Sequence, residues 1–167
     1  IVTDKGVKEM SIELVRIDDR LIHGQVVMAW HKVCPVERMV VVDDKSANDA
    51  IRKMLLETIA PPGVAVSVLT FAQGSEALLQ EKFAGEKVML LVTTPVTLLK
   101  LVDCGVSLEL VNVGGMGMGP GKKYLTPAVA VDSEQEHAFK ELKERGIKMQ
   151  VQIIPSDCPL LMNEILK

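Results

Sequence analysis

The sequence predicts an α/β domain built on a buried parallel sheet with helices on both faces, and three observations lead there. Apolar runs of about five residues alternate with amphipathic segments of about ten to fifteen, and each junction carries Gly, Pro or a helix cap, the pattern of repeated βα units. Several of the runs are almost continuously apolar, as strands covered on both faces must be. The chain has 167 residues, which at roughly 100–200 residues per domain leaves room for one domain and not for two.

The elements follow in order. Residues 12–17 form the first expected strand. Residues 18–24 then make a tight loop, after which Val26, Val27, Trp30 and Val33 give a short helix one apolar face. Strands are expected at 38–42 and 64–69. Between them Ile51, Met54, Leu55, Thr58 and Ile59 recur at i, i+3, i+4, i+7 and i+8. Ser46 is placed as N-cap of that amphipathic helix, Asp49 as its N3 residue, and Pro61-Pro62-Gly63 ends it. After the strand at 87–92, Thr94-Pro95 is a cap with proline in the first turn, opening a helix that buries Leu98, Leu99 and Val102 before Gly105. A fifth strand is expected at 108–113. Asp132 and Gln135 open the last helix, which carries Phe139 and Leu142 and stops at Gly146, and a strand at 147–153 follows.

Composition removes several function classes. The longest uninterrupted apolar runs are five residues, such as 88–92, against the roughly 20 that a membrane-spanning helix needs. With five aromatic residues in all, the core is aliphatic, and there is no series of rings on which single-stranded bases could stack. The net charge of −3 comes from 19 basic and 22 acidic residues spread along the chain, so no basic stripe offers itself to nucleic acid. Cys34, Cys104 and Cys158 are odd in number, widely spaced and without a CxxC pair, which reads as reduced, cytoplasmic thiols. Residues 1–9 are polar and unpatterned and read as an appended or disordered segment, with Met10-Ser11 as a natural start; residues 10–167 form the single domain.

In an open α/β sheet, chemistry gathers beyond the carboxyl ends of the strands, where helix N-termini converge. Two loops stand at that edge. Residues 18–25, Asp-Asp-Arg-Leu-Ile-His-Gly-Gln, place two carboxylates, a guanidinium and an imidazole immediately before a helix. A neutral imidazole nitrogen is a good nucleophile near physiological pH. A phosphoryl group on His23 would be met by the N–H groups of the helix beginning near Gly24 and by the fork of Arg20. Gly24 leaves room for that approach, and Asp18 or Asp19 would orient Arg20 or hold the ring. The same residues also fit a simpler role, with Asp18 and Asp19 capping the helix and His23 a surface histidine, and spacing alone does not separate the two.

The second loop, residues 114–123, is rich in glycine but matches no nucleotide template. GxxxxGK[ST] would need Gly at Met116 and Ser or Thr at Lys123, and GxGxxG fails at Pro120 in one frame and at Lys122 in the other. It reads as a turn of glycines with positive φ. His31 and Cys34 lie one helical turn apart with no second pair nearby, so no metal site is expected. Two other acceptors fit the sequence less well. A receiver-like domain needs an aspartate at the end of the third strand, where Leu69-Thr70-Phe71 stands instead. Cys34 precedes the second strand, at the sheet edge opposite the charged loops.

Arg16-Ile17-Asp18-Asp19-Arg20-Leu21-Ile22-His23-Gly24-Gln25-Val26 resembles the phosphorylation-site motif of the mannose/fructose/sorbose family of IIB components of the bacterial sugar phosphotransferase system. Ala60-Pro61-Pro62-Gly63, residues 85–91 and residues 111–116 match in the same order, so that the resemblance covers residues 11–167. It implies a doubly wound α/β fold with a mostly parallel sheet of about seven strands, one of them antiparallel, the extra element being residues 124–131.

The same resemblance implies a protein-phosphohistidine:sugar phosphotransferase without metal or cofactor. His23 would accept a phosphoryl group at Nδ1 from a IIA protein or domain and pass it to a hexose-type sugar held by the IIC and IID membrane components. Arg20 matches the arginine that neutralises the phosphoryl group, with Arg16, Asp18, Asp19 and Gly24 as supporting positions. A cytoplasmic protein recruited to the inner face of the membrane through its permease follows. Many relatives carry an aromatic and a basic residue after Gly114-Gly115-Met116, whereas here residues 117–120 intervene before Gly121-Lys122, so contacts from 117–120 can come only from backbone.

Overall fold

The computed structural model describes residues 10–166; the segment at 1–9 expected to be appended or disordered lies outside the described residues. A seven-stranded sheet runs in the order β3-β2-β4-β1-β5-β8-β9. Its strands are β1 (Ser11–Ile17), β2 (Arg38–Val42), β3 (Ala65–Leu69), β4 (Lys87–Val92), β5 (Leu110–Val113), β8 (Lys148–Val151) and β9 (Leu160–Leu161). All neighbours pair in parallel except β8 and β9, so the sheet has the single antiparallel strand that the resemblance implied. Its place is different. Residues 124–131 fall instead in a separate antiparallel hairpin of β6 (Lys123–Thr126) and β7 (Val129–Val131), attached at Met116, which bridges Val129. The antiparallel strand of the main sheet is β9, two residues long and too short to leave a pattern in the sequence.

The period of two along the strands sorts their side chains onto two faces. Val40, Val42, Val88, Leu90 and Val92 turn to one core, which they share with Leu98 and Leu101 of α5 (Pro95–Asp103) and with Phe139 and Leu142 of α6 (Ser133–Glu144). Met39, Val41, Met89 and Leu91 turn to the other, packed with Leu56 of α3 (Ala50–Ile59) and with Val26 and Trp30. Helices on both faces are thus borne out. Val26 and Trp30 stand on a π-helical turn, Val26–Trp30, that runs into the one-turn helix α1 (His31–Val33). Val33, read as part of the apolar face, is exposed.

The segment after β2 departs most from expectation. Two helices occupy it, and Ser46 caps neither. Asp43 caps α2 (Asp44–Ala47) by accepting from the Ser46 N–H, and Asp49, placed at N3 by the sequence, is itself the N-cap of α3, accepting from Ile51 and Arg52. The stripe that marked the helix also faces outward: Ile51, Met54, Leu55 and Ile59 are all exposed, while Leu56 is buried. One helix was not singled out from the sequence, α4 (Phe71–Leu79), although Thr70 and Gln73 form a reciprocal capping box at its start.

Candidate active site

Strand β1 lies in the middle of the sheet between β4 and β5, so the loop that follows it emerges at the centre of the carboxyl edge. The register sets Arg16 of β1 beside Asn112 of β5. Both turn away from the core that holds Val15, Ile17, Val111 and Val113, and Arg16 is wholly buried. Burying a guanidinium costs several kcal/mol, of order 3–5, unless a counter-charge and hydrogen bonds compensate. Arg16 has both: Nη1 donates to Asn112 Oδ1 and to the Gln152 carbonyl (3.1 Å), and Nη2 to Asp18 Oδ2 (2.8 Å) and the Ile153 carbonyl (3.2 Å).

Asp18 is the hub. Its backbone N–H extends the sheet by donating to the Val92 carbonyl, and its carboxylate has no exposed surface. Oδ2 accepts from Arg16 and stands 2.9 Å from His23 Nε2, while Oδ1 accepts from the backbone N–H of Arg20 (3.1 Å) and from its Nε (3.3 Å). Burial pushes the Asp18 carboxyl toward protonation, but the His23 hydrogen bond and the Arg16 charge outweigh it and hold the group well below the usual carboxylate range. An ionised carboxylate only accepts, so the His23 nitrogen facing it must carry the proton. In the neutral form of the ring the proton is therefore on Nε2 and the lone pair on Nδ1.

The other residues of the loop divide between this hub and the second loop. Arg20 is half exposed and also donates from Nη2 to Gln25 (3.0 Å), which leaves guanidinium surface at the rim beside His23. Asp19 turns away: its N–H donates to the Gly115 carbonyl (2.9 Å) and its Oδ2 accepts from the Gly117 N–H (2.7 Å). Residues 114–117 are thus bound to the histidine loop through backbone groups. Gly114 is required there by close approach, since a Cβ on it would overlap the Arg16 guanidinium and lie 2.6 Å from Asp18 Oδ2. A Cβ on Gly24 would meet nothing within 4 Å, which leaves open space next to His23.

Leu21, wholly buried, holds the loop in place at φ 57°, a left-handed conformation that a branched side chain rarely adopts. A cleft of about 560 Å³ opens alongside, lined by Asp19, Asp43, Arg52, Thr93, Lys100 and Lys122 among others.

The structure therefore joins Arg16, Asp18, Arg20 and His23 through one carboxylate, places Asp19 in the clasp between loops, and leaves open space where a side chain on Gly24 would stand. Sequence reasoning missed Asn112, Trp30 and the Gln152 and Ile153 carbonyls, which hold Arg16 from the other side. Asn112 left a signal as the one polar residue between Val111 and Val113. The carbonyls belong to the loop after β8, 136–137 residues away from Arg16 along the chain, and left none. Cys34 lies before β2, at the opposite sheet edge, and burial raises its thiol pKa. Among the described residues no group of three or more His, Cys, Asp or Glu side chains could hold a metal, and no helix is long and apolar enough to cross a membrane.

A family model described as PTS system sorbose subfamily IIB component matches residues 12–167. The PTS system mannose-specific EIIAB component of Escherichia coli (strain K12) is 45% identical over 94% of this chain and 49% of its own length, so the chain spans about half of that relative. The sorbose-specific EIIB component of Klebsiella pneumoniae is 40% identical over 89% of this chain and 90% of its own. Among solved structures, the IIBSor domain of the sorbose permease from Klebsiella pneumoniae superposes with a TM-score of 0.89 at 38% identity, covering 93% of this chain and 96% of that one.

Proposed function

From the premise that the chain belongs to the sorbose-subfamily IIB components of the phosphotransferase system, we propose that it is a phosphohistidine carrier with His23 as its acceptor. The observation that carries the reading is the buried Arg16–Asp18–His23 chain, which leaves Nδ1 as the basic nitrogen of the ring. In the first transfer the Nδ1 lone pair attacks phosphorus and the bond from phosphorus to the donor nitrogen of a IIA histidine breaks. In the second, a hydroxyl oxygen of a hexose-type sugar attacks, the phosphorus–Nδ1 bond breaks, and the hydroxyl proton is lost to base. Through both, Nε2–H stays on Asp18.

Phosphoryl transfer asks a protein mainly for positioning and charge neutralisation. Asp18 positions the ring, and the half-exposed Arg20, bound to the same carboxylate, offers a cation for the transferring group. The donor is a IIA protein or domain, consistent with a relative whose name joins A and B, and the acceptor sugar sits on IIC and IID membrane components that recruit this chain to the inner membrane face.

The test is phosphate incorporation from phosphoenolpyruvate through the general phosphotransferase proteins and a purified IIA. The expected label is stable in base, lost in acid, mapped to His23 Nδ1 and absent from His23→Gln. Label that persists in His23→Gln, or an acyl phosphate that base removes, would refute the assignment.

A further inference from the structure

Arg16 anchors the carboxylate that anchors His23, and what holds Arg16 has no part in the reaction as described. The Arg16 Cζ lies 5.2 Å from the ring centre of Trp30, the chain's single tryptophan. The Trp30 Nε1–H donates to the Ile153 carbonyl at 2.9 Å, and Arg16 Nη2 donates to that same carbonyl at 3.2 Å. Indole and guanidinium thus share one acceptor, and both are buried. Arg16 Nε finds no hydrogen-bond acceptor among the described residues, and the guanidinium to which it belongs lies over the Trp30 ring. A cation over an indole face gains most when both are desolvated, which is the case here.

We propose that Trp30 is a positioning residue for phosphoryl transfer, acting through Arg16 and Asp18 to keep the His23 proton on Nε2. The inference rests on the carrier reading above. Nη2 has two acceptors to satisfy, Ile153 O and Asp18 Oδ2. The ring beneath the guanidinium sets the plane in which Nη2 can reach both, and the indole N–H ties the ring to the shared carbonyl. Without the ring, the guanidinium is free to tilt, Asp18 Oδ2 loses its fixed donor, and the imidazole loses the directional acceptor that selects its tautomer. The free nitrogen of the other tautomer, Nε2, points into the buried carboxylate, so that fraction of the protein cannot accept phosphate.

Two variants separate the ring from its bulk. Trp30→Phe keeps an aromatic face and loses the indole N–H; Trp30→Met fills much of the volume with no face. The imidazole tautomer of the unphosphorylated protein is read by nitrogen-15 NMR, the transfer from phosphorylated IIA by single-turnover kinetics, and folding by a melting curve. Trp30→Met is expected to lower the transfer rate about thirtyfold, the size of a desolvated cation–π contact, and to mix the tautomers, while Trp30→Phe restores the wild-type tautomer and most of the rate.

A wild-type tautomer population in Trp30→Met, with or without a slower rate, would overturn the proposal. A check that needs no Trp30 variant is the indole Nε1 resonance, which is expected to shift on phosphorylation of His23 and to stay unchanged under the same treatment in His23→Gln; a wild-type resonance that ignores the phosphate also overturns it. Failure of the wild type to label at His23 would instead remove the carrier reading, whereas normal labelling with a tautomer indifferent to Trp30 removes the brace alone.

Discussion

Replacing Asp18 by Asn puts the buried pair to its most direct trial. Asp18 and Arg16 have no exposed side-chain surface, and the carboxylate accepts from Arg16 Nη2, His23 Nε2 and two nitrogens of Arg20. Asparagine keeps the shape but supplies one acceptor oxygen and an NH₂ that must face a donor, and it leaves the Arg16 charge uncompensated. Removing one partner of a buried pair costs about 3–5 kcal/mol. At about 2–4 °C per kcal/mol for a chain of this size, Tm is expected to fall by roughly 10 °C at pH 7, read by calorimetry. A loss below about 3 °C would refute the reasoning, because it would mean that Arg16 is balanced by something other than Asp18.

The double variant Arg16→Met with Asp18→Asn is expected to regain more than half of that loss, since no orphaned charge remains, without regaining phosphorylation. The gap between wild type and Asp18→Asn also depends on pH. The folded-state pKa of Asp18 lies below its unfolded value, so ionisation favours folding. That contribution is complete above about pH 5, declines as pH falls through the unfolded pKa, and disappears only below the folded one. The gap should therefore narrow on acidification from pH 5 toward pH 2 and stay constant above pH 5.

Two further expectations test the packing. Gly114→Ala places a methyl 2.6 Å from Asp18 Oδ2 and against the Arg16 guanidinium, neither of which can yield, and is expected to cost about 1–3 kcal/mol in a urea titration. Gly24→Ala, with nothing within 4 Å, should stay within about 0.5 kcal/mol of wild type. On α3, Leu55→Lys is expected to leave the melting curve unchanged because Leu55 is 60% exposed, whereas Leu56→Ala at 7% should cost about 2–5 kcal/mol. Equal losses at the two positions would mean that the helix is turned the other way.

The behaviour of α3 shows how far periodicity reaches. An apolar stripe at i, i+3 and i+4 identifies a helix, but which side meets the sheet depends on the strands beneath it. Here Leu56 is buried among the strand side chains, and Ile51, Met54 and Leu55 are exposed. Caps are ambiguous in a related way. Asp43, Ser46 and Asp49 stand three residues apart, so each neighbouring pair offers the spacing of a cap and its N3 partner, and only the chain's path from β2 selects Asp43 and Asp49 as the caps. The extra element that the resemblance implied at 124–131 is a hairpin outside the main sheet, and strand propensity does not say which sheet a strand joins.

What the sequence determined by itself is local. Runs of Val, Leu and Ile between caps and glycines dictate six parallel strands, and eight consecutive residues bring Asp18, Arg20 and His23 to a carboxyl edge. Tertiary structure decided how those residues divide their tasks. Asp18 became the hub and Asp19 the clasp because the sheet sets Arg16 beside Asn112 and folds the Gln152 and Ile153 carbonyls over it. A buried charge can be held only by partners that converge on it from several strands, and convergence from residues more than 130 positions apart leaves no spacing to read along the chain.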